Sequence, residues 1–90
     1  MEKKKVSIRL MGHDYTLVTD RSEEQVQQIA RYADRKLREL SVVTRSPENV
    51  VAVLTCVTLS EELFIAQEEN KMLRREIEKL RLSDSTEKNQ

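Results

Sequence analysis

The stretch LSEELFIAQEENKMLRREIEKLRL, residues 59–82, decides how this chain is built. Leu59, Leu63, Ala66, Asn70, Leu73, Ile77 and Leu80 follow one another at spacings of 4, 3, 4, 3, 4 and 3 residues. That alternation is the heptad repeat of a coiled coil, with Leu63, Asn70 and Ile77 at a positions and Leu59, Ala66, Leu73 and Leu80 at d positions. A helix that folds back on its own domain carries a wider stripe of mixed spacing. The spacing therefore predicts a helix that pairs with a second copy of itself.

The flanking charges predict the direction of that pairing. Glu62, Glu69 and Glu76 occupy g positions, and Gln67, Arg74 and Arg81 occupy e positions. In a parallel pair, Glu69 meets Arg74 and Glu76 meets Arg81 of the other chain, whereas an antiparallel pair sets acid against acid and base against base. Each exposed pair contributes only about 0.2–1 kcal/mol, yet exchanging attractions for repulsions on both flanks selects an orientation. Asn70 adds a second argument, because a buried amide at an a position favours an in-register parallel dimer. Ile65 and Met72 lie at c positions and leave open the pairing of two dimers.

Upstream of the seam, Ser46-Pro47-Glu48 starts this helix, with Ser46 expected as N-cap and Pro47 at the first helical position. No Gly or Pro follows, so the helix is expected to reach about Leu82. Residues 83–90 are polar and aperiodic, and are expected to be a disordered tail. Between Val50 and Phe64 apolar residues occupy most of the helix circumference. The remainder of the chain should pack there, with Cys56 as a small core residue and two copies of it approaching in the dimer.

That remainder reads as a hairpin and one helix. Val6, Ile8 and Leu10 alternate with Ser7 and Arg9, Met11-Gly12-His13-Asp14 supplies a turn, and Tyr15 and Leu17 resume the alternation. The hairpin is expected over 5–19. Ser22 with Gln25 forms a capping box, with Glu23 and Glu24 in the first turn. Val26, Ile29, Ala30, Ala33, Leu37 and Leu40 then give one apolar stripe on a helix over 22–41, with Asp34 and Arg38 as an i,i+4 pair on another face. The fold class is α+β, mainly α. A globular head over 1–65 is expected to pass into a coiled-coil stalk over 66–82 and the tail over 83–90.

Composition bounds the function. The chain has 90 residues, 36% of them charged and 3% aromatic, too few large apolar groups for a thick single-chain core. Sixteen basic and sixteen acidic residues cancel, which argues against nucleic acid as a partner. A dimer with a basic region ahead of its zipper is the alternative, and the balanced segment preceding the seam speaks against it. The single cysteine suits a reducing compartment, and the N-terminus has charges without an apolar h-region, so a cytoplasmic placement is expected. The longest apolar run, residues 50–54, is short of the roughly 20 residues that cross a bilayer, and no membrane role is expected. His13 stands alone in a turn, one Gly allows no phosphate-cradling loop, and the carboxylates belong to caps and helix faces. No catalytic, cofactor or metal site is expected, and the chain reads as a non-enzyme.

Three segments resemble a known family. Residues 6–15 (VSIRLMGHDY), 32–40 (YADRKLREL) and 51–63 (VAVLTCVTLSEEL) look like the corresponding parts of the ZapA family of bacterial cell-division proteins, in order and spacing over roughly residues 5 to 80. The resemblance implies a homodimer with globular heads and a coiled-coil stalk, and two such dimers able to join into a tetramer. It implies FtsZ as the partner, bridged and bundled by the heads, with lowered GTP hydrolysis and a stabilised division ring at mid-cell. Family members often carry a basic residue after the turn glycine, where this chain has His13, and often Asn where it has Thr58. Lys36 and Arg45 match basic positions of the family. Arg35, Arg38 and Glu48 join them as partner-binding candidates on charge and expected exposure alone. A generic coiled-coil adaptor for another cytoplasmic partner is the competing reading.

Overall fold

The computed structural model describes residues 2–88, with side chains as far as residue 84. Two strands precede two helices: β1 (Lys4–Leu10), β2 (His13–Thr19), α1 (Glu23–Thr44) and α2 (Glu48–Lys88). The class is α+β, mainly α, as the sequence indicates. Two compact units, Met1–Cys56 and Val57–Gln90, divide the chain.

β1 and β2 form an antiparallel ladder running from Lys4↔Thr19 to Leu10↔His13. Only Met11 and Gly12 make the loop, with φ of +53° and +79°. Two positive φ values give the turn the twist that a two-residue hairpin needs. The four-residue turn expected over 11–14 is thereby corrected, since His13 and Asp14 open β2. Met11 is an unusual occupant of left-handed space, and Asp34 of α1 holds it there. The Met11 N–H donates to Asp34 Oδ1 at 2.7 Å, while Arg38 Nε donates to Asp34 Oδ2 at 2.8 Å.

α1 starts on its capping box: Gln25 N–H donates to Ser22 Oγ at 3.2 Å, and Ser22 N–H to Gln25 Oε1 at 3.4 Å. It runs past the expected end near residue 41 and stops at Arg45, a left-handed cap whose N–H donates to Ser41 O at 3.0 Å. α1 packs on β1, and Gln27 Nε2 donates to Ser7 O at 2.8 Å. Of the expected stripe, Val26 and Ala30 are buried, Ala33, Leu37 and Leu40 are half-buried, and Ile29 is 52% exposed. One strand is a narrow floor, so it covers only a narrow strip of helix.

α2 corrects several expectations. Ser46 is not its cap: Ser46 Oγ donates to Thr44 O at 3.4 Å, and Pro47 O accepts the N–H of Val50 and of Val51. The helix also continues to Lys88, past the expected end near Leu82. Extending an existing helix adds one hydrogen bond per residue fixed, and nothing in this polar segment breaks it. Residues 89 and 90 lie outside the described residues. Val51 and Thr55 are buried, but Val50, Val53, Leu54, Cys56, Val57 and Phe64 are exposed. The expectation that the hairpin and α1 wrap this region, with Cys56 in the core, therefore fails for a single chain.

The short-run argument against a membrane span is also modified. α2 holds an 18-residue window of mean hydropathy 1.6 that is 11% buried, and by length and composition it could cross a bilayer. Glu61 and Glu62 stand side by side in its apolar half, and a charge at the centre of a span costs about 2.5–3.5 kcal/mol or more. A covering protein surface fits that helix better than lipid.

The buried apolar core consists of Val6, Val26, Ala30 and Val51. Beside it Thr55 Oγ1 is buried without a hydrogen-bond partner among the described residues. Thr55→Val, which keeps the shape and removes the orphan hydroxyl, is expected to raise the urea midpoint, by about 1 kcal/mol of stability.

The Met11 N–H, and after it Arg38, hold the Asp34 carboxyl below its ordinary value near 3.8, against a smaller opposing effect of burial. A carboxylate lowered in the folded state stabilises the fold above its unfolded pKa. That stability is lost as pH falls through the folded pKa. Urea titrations at pH 6 and pH 3 should show a smaller acid-induced loss for Asp34→Asn than for the parent chain.

Candidate functional site

The strongest candidate is a helix face. Because α2 is continuous through residues 59–80, the 4-3 spacing places Leu59, Leu63, Ala66, Asn70, Leu73, Ile77 and Leu80 along one side. Leu59 is half-buried, and the rest are exposed in the single chain, Leu63, Leu73 and Leu80 by 58%, 62% and 68%. A contiguous row of large apolar side chains facing water marks an interaction surface.

Some of the charges beside this row are paired along the helix itself. Glu76 Oε1 lies 3.8 Å from Lys79 Nζ, and Glu68 Oε1 lies 3.5 Å from Lys71 Nζ, both i,i+3 pairs along the helix. Glu69, Arg74 and Arg81 make no ion pair among the described residues. Ile65 and Met72 are also exposed.

The head candidates fall into separate groups. His13 Nε2 sits 3.5 Å from Glu48 Oε1, both side chains mostly exposed, an ionic contact only when the imidazole is protonated. These two residues border a cleft of about 180 Å³ whose apolar lining is Leu10, Met11, Tyr15, Leu37, Val51 and Ala52. Along α1, Arg35 Nε lies 3.8 Å from Glu39 Oε1 and Lys36 Nζ lies 3.9 Å from Glu39 Oε2. Both cations also stack on Tyr32, at 5.0 and 5.6 Å from its ring centre. Arg38 is committed to Asp34. Arg45 serves as the backbone cap of α1 and makes no ion pair among the described residues.

Sequence reasoning missed three features. Tyr32 as a platform for cations was foreshadowed only by its i,i+3 and i,i+4 spacing to Arg35 and Lys36. The Asp34 link to the turn joins residues 23 apart, and no local signal announces it. The cleft draws its walls from both strands and both helices and exists only once they meet. Among the described residues no group of three or more His, Cys, Asp or Glu is placed to hold a metal ion.

Comparison with known proteins agrees with this architecture. The family model described as "Cell division protein ZapA" matches residues 6–89. The cell division protein ZapA of Geobacillus kaustophilus is 35% identical over 80 residues, covering 86% of each chain. That of Geobacillus thermodenitrificans is 37% identical over 70 residues, covering 74% of this chain and 75% of its own. Among solved structures, a ZapA mutant dimer from Geobacillus stearothermophilus superimposes with a TM-score of 0.72 at 32% identity, covering 87% of this chain and 92% of its own. With a family model spanning nearly its whole length and the same hairpin and two helices in a solved relative, the chain belongs to the ZapA family of cell division proteins.

Proposed function

We propose that the chain is a non-enzymatic crosslinker in cell division, a parallel homodimer that binds FtsZ through its heads and bundles FtsZ filaments. The observation that carries this reading is the exposed heptad face of α2, with Glu69, Arg74 and Arg81 beside it making no ion pair among the described residues. A second copy in parallel register covers the leucines and supplies those charges with partners. The Geobacillus stearothermophilus relative is a dimer by its own description, which supports self-association. The exposed Ile65 and Met72 fit a further pairing of two dimers into a tetramer.

The mechanism is one of multivalency. Two weakly binding heads on one scaffold hold a filament bundle more tightly than either alone, because the second contact forms at high effective concentration. His13, Arg35, Lys36, Arg38, Arg45 and Glu48 are the head residues assigned to the filament, acting in the cytoplasm at mid-cell. Bundling stabilises the division ring and slows GTP hydrolysis by FtsZ. No nucleic acid, membrane or cofactor takes part.

Two outcomes test this reading. Ile77→Glu places a charge in the seam, where burial without a counter-ion is strongly unfavourable. Sedimentation equilibrium should show that variant as a single chain at concentrations where the parent is a dimer. An unchanged mass contradicts the seam. In co-sedimentation with FtsZ and GTP, the parent should increase the pelleted filament and Ile77→Glu should not. A dimer that captures other proteins but never FtsZ supports the generic adaptor instead.

A further inference from the structure

The two edges of the hairpin differ in a way that the seam and the head charges do not explain. A two-residue loop closes on a hydrogen-bonded pair, here Leu10 with His13. Bonded and non-bonded pairs then alternate down the ladder. Lys5, Ser7 and Arg9 turn their backbone groups away from β2, and Asp14, Thr16 and Val18 turn theirs away from β1. Ser7 fixes this phase independently, because its carbonyl accepts from Gln27 on the side opposite β2.

The β1 edge is guarded by that Gln27 contact and by Lys3, Lys4, Lys5 and Arg9. Such charges are the usual protection against unwanted strand pairing. β2, with the sequence HDYTLVT, has no Lys, Arg, Pro or Gly. Its outward backbone groups at Asp14, Thr16 and Val18 have no partner among the described residues. α1 packs on β1 and leaves β2 uncovered. Tyr15 and Leu17 are therefore exposed, although they share a face with half-buried Ile8 and buried Val6.

We propose that the edge of β2 is a strand-addition site for an extended segment of the filament partner. This inference rests on the filament-binding reading above and specifies how the head makes its contact. An added strand hydrogen-bonds to Asp14, Thr16 and Val18 and lays alternate apolar side chains on Tyr15 and Leu17. One of them enters the adjoining cleft, which Tyr15 also lines and whose volume of about 180 Å³ suits a single large aliphatic or aromatic group. Charge selects a basic segment: Asp14 is the acidic side chain of β2, which carries no Lys or Arg, while Asp20 just beyond it is offset by the neighbouring Arg21. Asp14 already lies 3.6 Å from Arg9 on its inner side and has acceptor capacity left on the outer.

Thr16→Pro tests the proposal, because the Thr16 N–H takes no part in the hairpin, and Pro is tolerated at such an edge position. Co-sedimentation with FtsZ and GTP should fall about tenfold for this variant, as expected when main-chain bonds supply the affinity. Unchanged co-sedimentation by a folded Thr16→Pro chain overturns strand addition and leaves the filament-binding reading standing. Failure of the parent chain to pellet FtsZ overturns both. Hydrogen exchange on the parent chain gives an answer even if the variant does not fold. FtsZ should slow exchange at Asp14, Thr16 and Val18 while leaving Ser7 unaffected, and unaltered exchange at the three sites overturns the proposal. A parent chain whose sedimenting mass exceeds that of Thr16→Pro, with equal FtsZ pelleting, assigns the edge to a second copy and overturns it as well.

Discussion

The structure depends on a shortage of interior. Four buried apolar side chains, three valines and an alanine, form the whole core of the described chain. Leucines, isoleucines, valines and a phenylalanine remain in water along α2. Hydrophobic burial is the dominant favourable term in folding, so a chain that leaves this much of it unused is incomplete alone. In the function proposed above, the unit of stability is an assembly that closes along the heptad face of α2.

The small head works within the same constraint. A two-stranded hairpin is marginal by itself and must be fastened by more than apolar contact. Asp34 supplies the fastening, joining the strained Met11 turn to α1 and anchoring Arg38 at the same carboxylate. Gln27 does the same for the outer edge of β1. With both ties directed at the β1 side, β2 and the cleft beside it remain open to a partner.

The local patterns were legible in the chain itself. The alternation of Val6, Ile8 and Leu10, the Ser22–Gln25 box and the 4-3 spacing from Leu59 to Leu80 each specify an element without knowledge of its surroundings. Failures came where the outcome depended on distant parts of the chain. Cys56 and Val57 look like core residues by composition, yet one hairpin and one helix are too small to surround α2. Ser46 has the chemistry of an N-cap, but its hydroxyl bonds back to Thr44 and the helix starts one residue later. The polar residues 83–88 lack periodicity and are helical because the preceding turns carry them. For the head candidates, the i,i+4 spacing announced the pairing of Arg38 with Asp34, whereas no local signal announced that Arg45 caps α1 in a left-handed conformation.

Parallel, in-register pairing of two α2 helices is the central claim, and distances between spin labels test it most directly. Labels are placed on the outward face of α2 at residue 68 in one sample and residue 82 in another, each in a Cys56→Ser background. Parallel register predicts the same interchain distance at both sites, on the order of 20–30 Å for two helices in contact. An antiparallel pair instead makes the two distances differ by as much as about 40 Å. That difference, or the absence of any interchain coupling, contradicts the account.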